Sequence, residues 1–188
     1  MSLNELIDKC RQELSNALSQ AQHPWRLFSF ANIDLQGHPI VRYVVLRALK
    51  PDRIIFFTDQ RSNKVPALEQ QSIASLCFFS PDSKLQLQIK AEVSIHNQDD
   101  IAREYWDATP WYSLQCYHMK ENPGEKLPAP FMLKPQSIDA EEAYRYFSVV
   151  SCRMLSWDIL SLHEEGNQRA WAKFADNGQI CESAWLAP

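Results

Sequence analysis

The stretch Arg42 to Lys64, RYVVLRALKPDRIIFFTDQRSNK, decides the fold. Two apolar runs rich in β-branched and aromatic residues flank a turn at Pro51-Asp52, and such runs read as strands. The link is too short for a parallel crossover, so the pair is antiparallel. Side chains alternate along a strand. Arg42, Val44 and Leu46 therefore share one face, and Tyr43, Val45 and Arg47 the other. Both faces are largely apolar, as are both faces of IIFF and of the later IASLCFF. One face of such a strand lines a core, and the other meets a helix, a ligand or a second subunit. A homodimer is the expectation.

Upstream, PWRLFSFANIDLQGHPIVRYVVLRAL reads as two strands joined by a turn over Asp34 to His38. Before it, Leu3, Leu6, Ile7, Cys10, Leu14 and Leu18 recur at helical spacing, which predicts an amphipathic helix over 1–21. Ser2 and Glu5 stand at capping-box spacing at its start. Downstream, Ser62 to Gln71 reads as a short helix. IASLCFF and the alternating LQLQIKAEVSI are the fourth and fifth strands. Helices are expected over Asp99–Trp106 and Ala140–Phe147, on either side of a Pro-rich loop at 121–138. Val149–Leu162 is a sixth strand, and Arg169–Phe174 with the segment to Trp185 gives one more strand or extended piece. This order describes one α+β domain over 1–188, mainly antiparallel β, built on a barrel with peripheral helices.

Composition narrows the function. The chain of 188 residues has a formal net charge of −4, which argues against broad nucleic-acid binding. Any anion site must be local. Five cysteines at wide spacings, with no Cys/His cluster, do not suggest a metal site and fit a reducing, cytoplasmic setting. No apolar run approaches a membrane span.

The loop Thr58-Asp59-Gln60-Arg61-Ser62-Asn63-Lys64 joins a strand to a helix start, where backbone N–H groups, a Ser hydroxyl and two cations could receive a phosphate. Arg42 could converge on the same place. On the loop alone, a capped helix with solvated cations is the plainer reading. Gln86 and Gln88 share the polar face of the fifth strand, which is either water-facing or poised to recognise a polar ring edge. Tyr105, Trp106, Trp111 and Tyr112 read first as core or interface. No Ser/His/Asp or Cys/His triad stands out, which favours a cofactor that brings its own chemistry.

Taken in order, Arg42-Tyr-Val-Val-Leu-Arg47, Phe57-Thr58-Asp59, Ser62-Asn-Lys64 and Gln86-Leu-Gln-Ile resemble the FMN-binding core of the pyridoxamine 5'-phosphate oxidase family, whose members are split β-barrels. The resemblance runs from about Pro24 to the closing Trp185-Leu-Ala-Pro. It implies that Arg42, Lys64, Ser62 and Arg61, with Asn63 beside them, hold the FMN phosphate. Tyr43, Val44, Val45 and Leu46 would run beside the flavin, Phe57 and Thr58 would line its site, and Gln86 would bond the ring edge. His163 falls at a family tryptophan that contacts FMN, and Lys173 at a family arginine. Arg47 stands where the family has a lysine between flavin and substrate, which makes it the candidate catalytic residue. Arg47, Tyr105, Ser113 and Arg169 would shape the substrate pocket. The flavin would lie between two subunits, and the reaction would be hydride transfer between a small substrate and flavin N5. Some positions depart from the family. Thr109 replaces an arginine of the substrate-phosphate grip, Arg169-Ala-Trp171 replaces Arg-x-His, and Trp185 replaces a C-terminal arginine. These departures weigh against pyridoxamine-phosphate oxidation and place the chain in a divergent branch. A non-catalytic carrier of FMN, or of a planar ligand such as haem, is the alternative.

Overall fold

The capping box at the N-terminus forms as its spacing predicts. Ser2 Oγ accepts from the Glu5 N–H at 3.3 Å and Glu5 Oε2 accepts from the Ser2 N–H at 2.6 Å, which starts α1 (Leu3–Ser19). Leu6, Cys10, Leu14 and Ala17 form its buried stripe. The computed structural model describes residues 1–129 and 139–188, so positions 130–138 of the Pro-rich loop lie outside the described residues.

A 3₁₀ turn at Pro24–Arg26 leads into β1 (Leu27–Ile33), β2 (Pro39–Val45), β3 (Ala48–Lys50) and β4 (Arg53–Asp59). Then come α2 (Lys64–Gln70), β5 (Ile73–Ser80), β6 (Leu85–His96), α3 (Asp100–Ala108) and α4 (Trp111–Leu114). After a 3₁₀ turn at Gln115–His118 and the Pro-rich loop come α5 (Ala140–Tyr146), β7 (Phe147–Ser161), β8 (Gln168–Phe174) and β9 (Ile180–Leu186). All strand pairs are antiparallel, in the order β2-β1-β5-β6-β7-β4-β3, with β8 on β7 and β9 on β8. The long β7 pairs with β6 along most of its length. Its first half also pairs with β4 and its second half with β8. A register shift between Lys90 and Ala91 lets the paired strands bend where those partners change.

The strand expected to run unbroken through RYVVLRAL is divided. β1 begins at Leu27, opposite Val45, so β2 has no partner beyond that point. The Leu46 N–H then donates to Arg26 O and the Arg47 N–H to Ile55 O, both at 2.9 Å. The chain passes from one edge of the sheet to the other, and the sheet curls into the expected split-barrel shape. The C-terminal segment, expected as one strand, is the β8–β9 hairpin. Its turn carries Asp176-Asn177-Gly178, a hairpin signal in the sequence.

The barrel interior holds Trp25, Phe28, Phe30, Phe56, Phe78 and Trp157, each at most 2% exposed. Phe28 stacks on Phe78 with centroids 4.6 Å apart, and Phe30 meets Phe56 at 4.8 Å. A buried side chain of this size contributes about 1.5–3 kcal/mol through area alone. A second cluster lies across the sheet, where Ile55, Phe147 and Val149 meet Trp106, Tyr117 and Tyr144. Helices therefore cover the outer face of β4. The outer face of β2 is uncovered, with Val41 67% and Tyr43 75% exposed. Among the described residues no helix is long and apolar enough to cross a membrane.

Gly178 seats the β8–β9 turn on the β3–β4 turn. Its φ is +77°, and a Cβ there would lie 2.7 Å from Asp52 Cβ. That atom is fixed to the backbone and cannot swing away. Gly178→Ala should destabilise the fold by about 1–3 kcal/mol. Gly37→Ala, at a turn with open space around it, should cost only the left-handed backbone penalty of about 1–2 kcal/mol. Urea unfolding midpoints check this; an unshifted midpoint for Gly178→Ala refutes the seating.

Candidate functional site

The loop after β4 is held in place before any ligand is considered. The Gln60 N–H donates to Tyr146 O at 2.7 Å, Ser148 Oγ donates to Gln60 Oε1 at 2.6 Å, and the Ser62 N–H donates to Asp59 O at 3.0 Å. These bonds tie it to the α5–β7 junction. Lys64, the first residue of α2, points its ammonium at two hydroxyls: Nζ donates to Thr58 Oγ1 at 2.7 Å and to Ser62 Oγ at 2.6 Å. Thr58 and Ser62 are buried. Asn63 sits at the N-cap position but makes no side-chain capping bond. The helix is shorter than the expected 62–71, so the site is made of side chains more than of a helix end.

Arg42 reaches this place from β2. Its guanidinium donates to Asn32 Oδ1 and lies over the Phe30 ring, 5.7 Å from the centroid. Burial, and then the charge of Arg42, pull the Lys64 ammonium down to about 8. Burial also lowers the Arg42 guanidinium. Neither cation forms an ion pair among the described residues. Two half-buried cations without a carboxylate partner, next to two hydroxyls, form a cradle that suits a phosphate. The residues present fit the phosphate of a flavin mononucleotide.

Arg61 is engaged elsewhere. Its Nε and Nη2 donate to Asp59 at 3.0 and 2.7 Å, and Nη1 donates to the carbonyls of Met119 and Lys120 at 3.0 and 3.2 Å. Its guanidinium lies 3.7 Å from the Tyr146 ring centroid. In these bonds it acts as a strut between the loop and the segment after α4.

A second group lies on the opposite face of β4. Arg47 stands over the Phe57 ring at 5.4 Å, and its Nη1 is 3.5 Å from Ser113 Oγ. Tyr105 packs edge-on against Phe57 at 5.5 Å. Thr109 Oγ1 donates back to Tyr105 O at 2.6 Å, within its own helix end. Burial raises the Tyr105 phenol and the nearby Cys116 thiol, so neither offers a ready anion for catalysis at neutral pH.

A third group occupies the outer face of β6, β7 and β8. Register places Gln86 opposite Leu160 and Leu160 opposite Arg169; Gln88 lies opposite Asp158, and Lys173 opposite Ser156. Gln86 and Gln88 share this face, with Gln86 the more buried. Arg169 grips Asp158 through Nε at 3.0 Å and Nη2 at 2.8 Å. His163, just past β7, pairs with Ser161 Oγ at 3.0 Å. Among the described residues no hydrogen bond, ion pair or ring contact joins this group to the other two. On β2, Tyr43 and Val45 face outward and Val44 packs against the core; Leu46, just past its end, is fully buried.

Two polar residues escaped the sequence reading. Asn32, 5% exposed, holds Arg42. It was visible as the one polar residue in the buried phase of Phe28, Phe30 and Asn32. Asp158 holds Arg169, and only the strand register reveals that pairing.

Comparison with known proteins bears out the resemblance. Residues 8–97 match the family described as pyridoxamine 5'-phosphate oxidase, FMN-binding domain. A pyridoxine/pyridoxamine 5'-phosphate oxidase of Neisseria gonorrhoeae is 29% identical over 107 residues, 57% of this chain and 50% of that one. One from Leptospira interrogans is 24% identical over 164 residues, 78% of this chain and 76% of its own. The chain spans about half the length of the Neisseria relatives it matches. Among solved structures, a pyridoxamine 5'-phosphate oxidase-related, FMN binding protein from Nostoc punctiforme superposes with a TM-score of 0.76 at 19% identity, covering 100% of both chains. PhzG from Burkholderia lata, in complex with tetrahydrophenazine-1-carboxylic acid, gives 0.72 at 13% identity, covering 97% of this chain and 92% of its own. These two structural likenesses establish the fold.

The low value at Lys64 has a direct consequence for the flavin-free protein. Below about 8 the folded chain bears the full cost of a buried, charged Lys64. Between about 8 and the ordinary 10.5, the unfolded chain keeps the proton that the folded chain has released, so this lysine makes stability rise with pH. That rise should be absent from Lys64→Met. Denaturant midpoints measured across this window for both proteins check it; parallel curves would mean that Lys64 is solvated.

Proposed function

We propose that this chain is an FMN-dependent oxidoreductase that works as a homodimer on a small planar substrate. The observation that carries the reading is the cradle of Arg42, Lys64, Thr58 and Ser62, in which neither cation is ion-paired with a carboxylate among the described residues. The FMN phosphate would occupy it and restore the charge balance. Bound there, FMN would supply the hydride- and electron-transfer chemistry that the side chains lack. The protein's own part is to hold and orient. Tyr43 to Leu46 and Phe57 would border the flavin, Arg47 would stand between flavin and substrate, and Tyr105 and Ser113 would complete that wall.

Gln86, His163 and Lys173 would come from a second copy. Within one chain their group is not joined to the cradle. The outer face of β2, β1 and β5 exposes Val41, Tyr43, Leu27, Ile73 and Phe79, an apolar patch suited to burial between copies. Packing two copies on that face would bring the Gln86 group of each toward the cradle of the other.

Non-catalytic carriage of FMN is the second reading. The closed Arg169–Asp158 pair and the Thr109 hydroxyl turned onto its own helix favour it, because neither is left to grip a substrate phosphate. The two readings separate on whether bound flavin is bleached by a nicotinamide or amine donor and recovers in air.

Arg42→Ala and Lys64→Ala should each weaken FMN binding by about tenfold to a hundredfold, the worth of one charge-assisted hydrogen bond, with the fold intact by circular dichroism. Titration of FMN fluorescence measures it. Wild-type affinity in both variants would overturn the site. Arg47→Ala should lower turnover by more than it lowers FMN affinity.

A further inference from the structure

We infer that Asp158 sets the charge class of the substrate, and that the substrate is a planar aromatic monocarboxylate and not a phosphate ester. The inference rests on the flavin-site reading, because it takes Arg47 and Arg169 as the two arginines that face the substrate.

The two guanidinium groups are in different electrostatic states. Arg169 is already neutralised. Its Nε and Nη2 edge closes on both oxygens of Asp158 in a bidentate pair. Nη1 is left as a donor, and within a neutral pair it suits an uncharged acceptor such as a carbonyl or ring nitrogen. Arg47 has no ion-pair partner among the described residues; its contacts are the Ser113 hydroxyl and the Phe57 face. Of these two guanidinium groups, Arg47 alone therefore presents an uncompensated positive charge to the substrate. A phosphate monoester carries close to two negative charges at neutral pH, since its second pKa is about 6. Removed from water beside a single cation, it would retain nearly a full unpaired charge, which is costly. A carboxylate is matched by one guanidinium. The remaining walls are aromatic: Phe57 and Tyr105 meet edge-on beside Arg47, and Trp171 lies on the outer face one register step from Arg169. Those surfaces suit a flat ring.

Asp158 makes the difference. It lies opposite Gln88 and Trp171 in the sheet and touches Arg169 diagonally across β7 and β8. Without its carboxylate, Arg169 would become a second open cation, and the site would then suit a dianion. Asp158 acts through Arg169, so its role is one of positioning and charge balance.

The test uses two probes that share a ring and differ only in the anion, 2-naphthoate and 2-naphthyl phosphate. Each is titrated calorimetrically into the 188-residue protein, with and without FMN, near neutral pH. The wild type should bind the carboxylate at least about tenfold more tightly than the phosphate ester, and Arg47→Gln should remove that binding. Asp158→Asn should shift the preference about tenfold or more toward the phosphate ester, and Asp158→Glu, which keeps the pair, should restore the wild-type ratio. A merely structural role for Asp158 would weaken both probes together and leave the ratio unmoved. Equal or tighter phosphate binding by the wild type overturns the inference, as does an unchanged ratio in Asp158→Asn. Should Asp158→Asn fail to fold, the wild-type ratio and Arg47→Gln still decide the matter. Protein that retains no FMN yet prefers the carboxylate through Arg47 would refute the flavin reading alone; protein that holds FMN and shows no preference would refute this inference alone.

Discussion

The structure depends on two backbone hydrogen bonds at Leu46 and Arg47. β2 exhausts β1 at Val45, and the next two amides must find partners or be left unsatisfied at about 1–3 kcal/mol each. They find Arg26 on one side and Ile55 on the other, which hands the chain from one edge of the sheet to the other. The same step separates the two candidate site arginines. Arg42, before the handover, faces inward toward the start of α2. Arg47, after it, emerges on the far face of β4 beside Phe57. One short sequence thus places a cation on each of the two faces of β4.

Charge pairing then sorts the cations by task. Arg61 and Arg169 are each gripped by a carboxylate on the same or a neighbouring strand or loop, so neither stands as an open charge. Among the described residues the side chains of Arg42, Lys64 and Arg47 meet hydroxyls, an amide oxygen or a ring face. A half-buried cation held in that way is costly to the empty fold, and the depressed Lys64 records the cost. Sites that bind anions carry such costs because the ligand relieves them.

Aromatic packing determines which surfaces remain for other uses. The outer face of β4 and the first half of β7 is covered by Trp106, Tyr117 and Tyr144, so helices meet the need for a second cover there. Among the described residues no element does this for β2, β1 and β5, whose outer residues include Leu27, Val41, Tyr43 and Phe79. Double-faced apolar strands in one sequence therefore have two different explanations within one sheet.

The sequence by itself determined the element order, the antiparallel pairing and the approximate limits of most strands, because period-two alternation and turn residues are local signals. Arg42, Ser62 and Lys64 were marked as a set only through the resemblance to a known family, since the loop by itself read as a capped helix with solvated cations. The sequence did not show the break at Leu46–Arg47, which arises from where a neighbouring strand ends. Asp176-Asn177-Gly178 was legible as a hairpin turn, yet the segment around it read as a single strand. Only tertiary structure decided which cations are paired. Asp158 meets Arg169 and Asn32 meets Arg42 through strand register, and register is set by the whole sheet. The charge that a site presents is a sum over neighbours distant in sequence, and for that physical reason it becomes visible only once the strands are side by side.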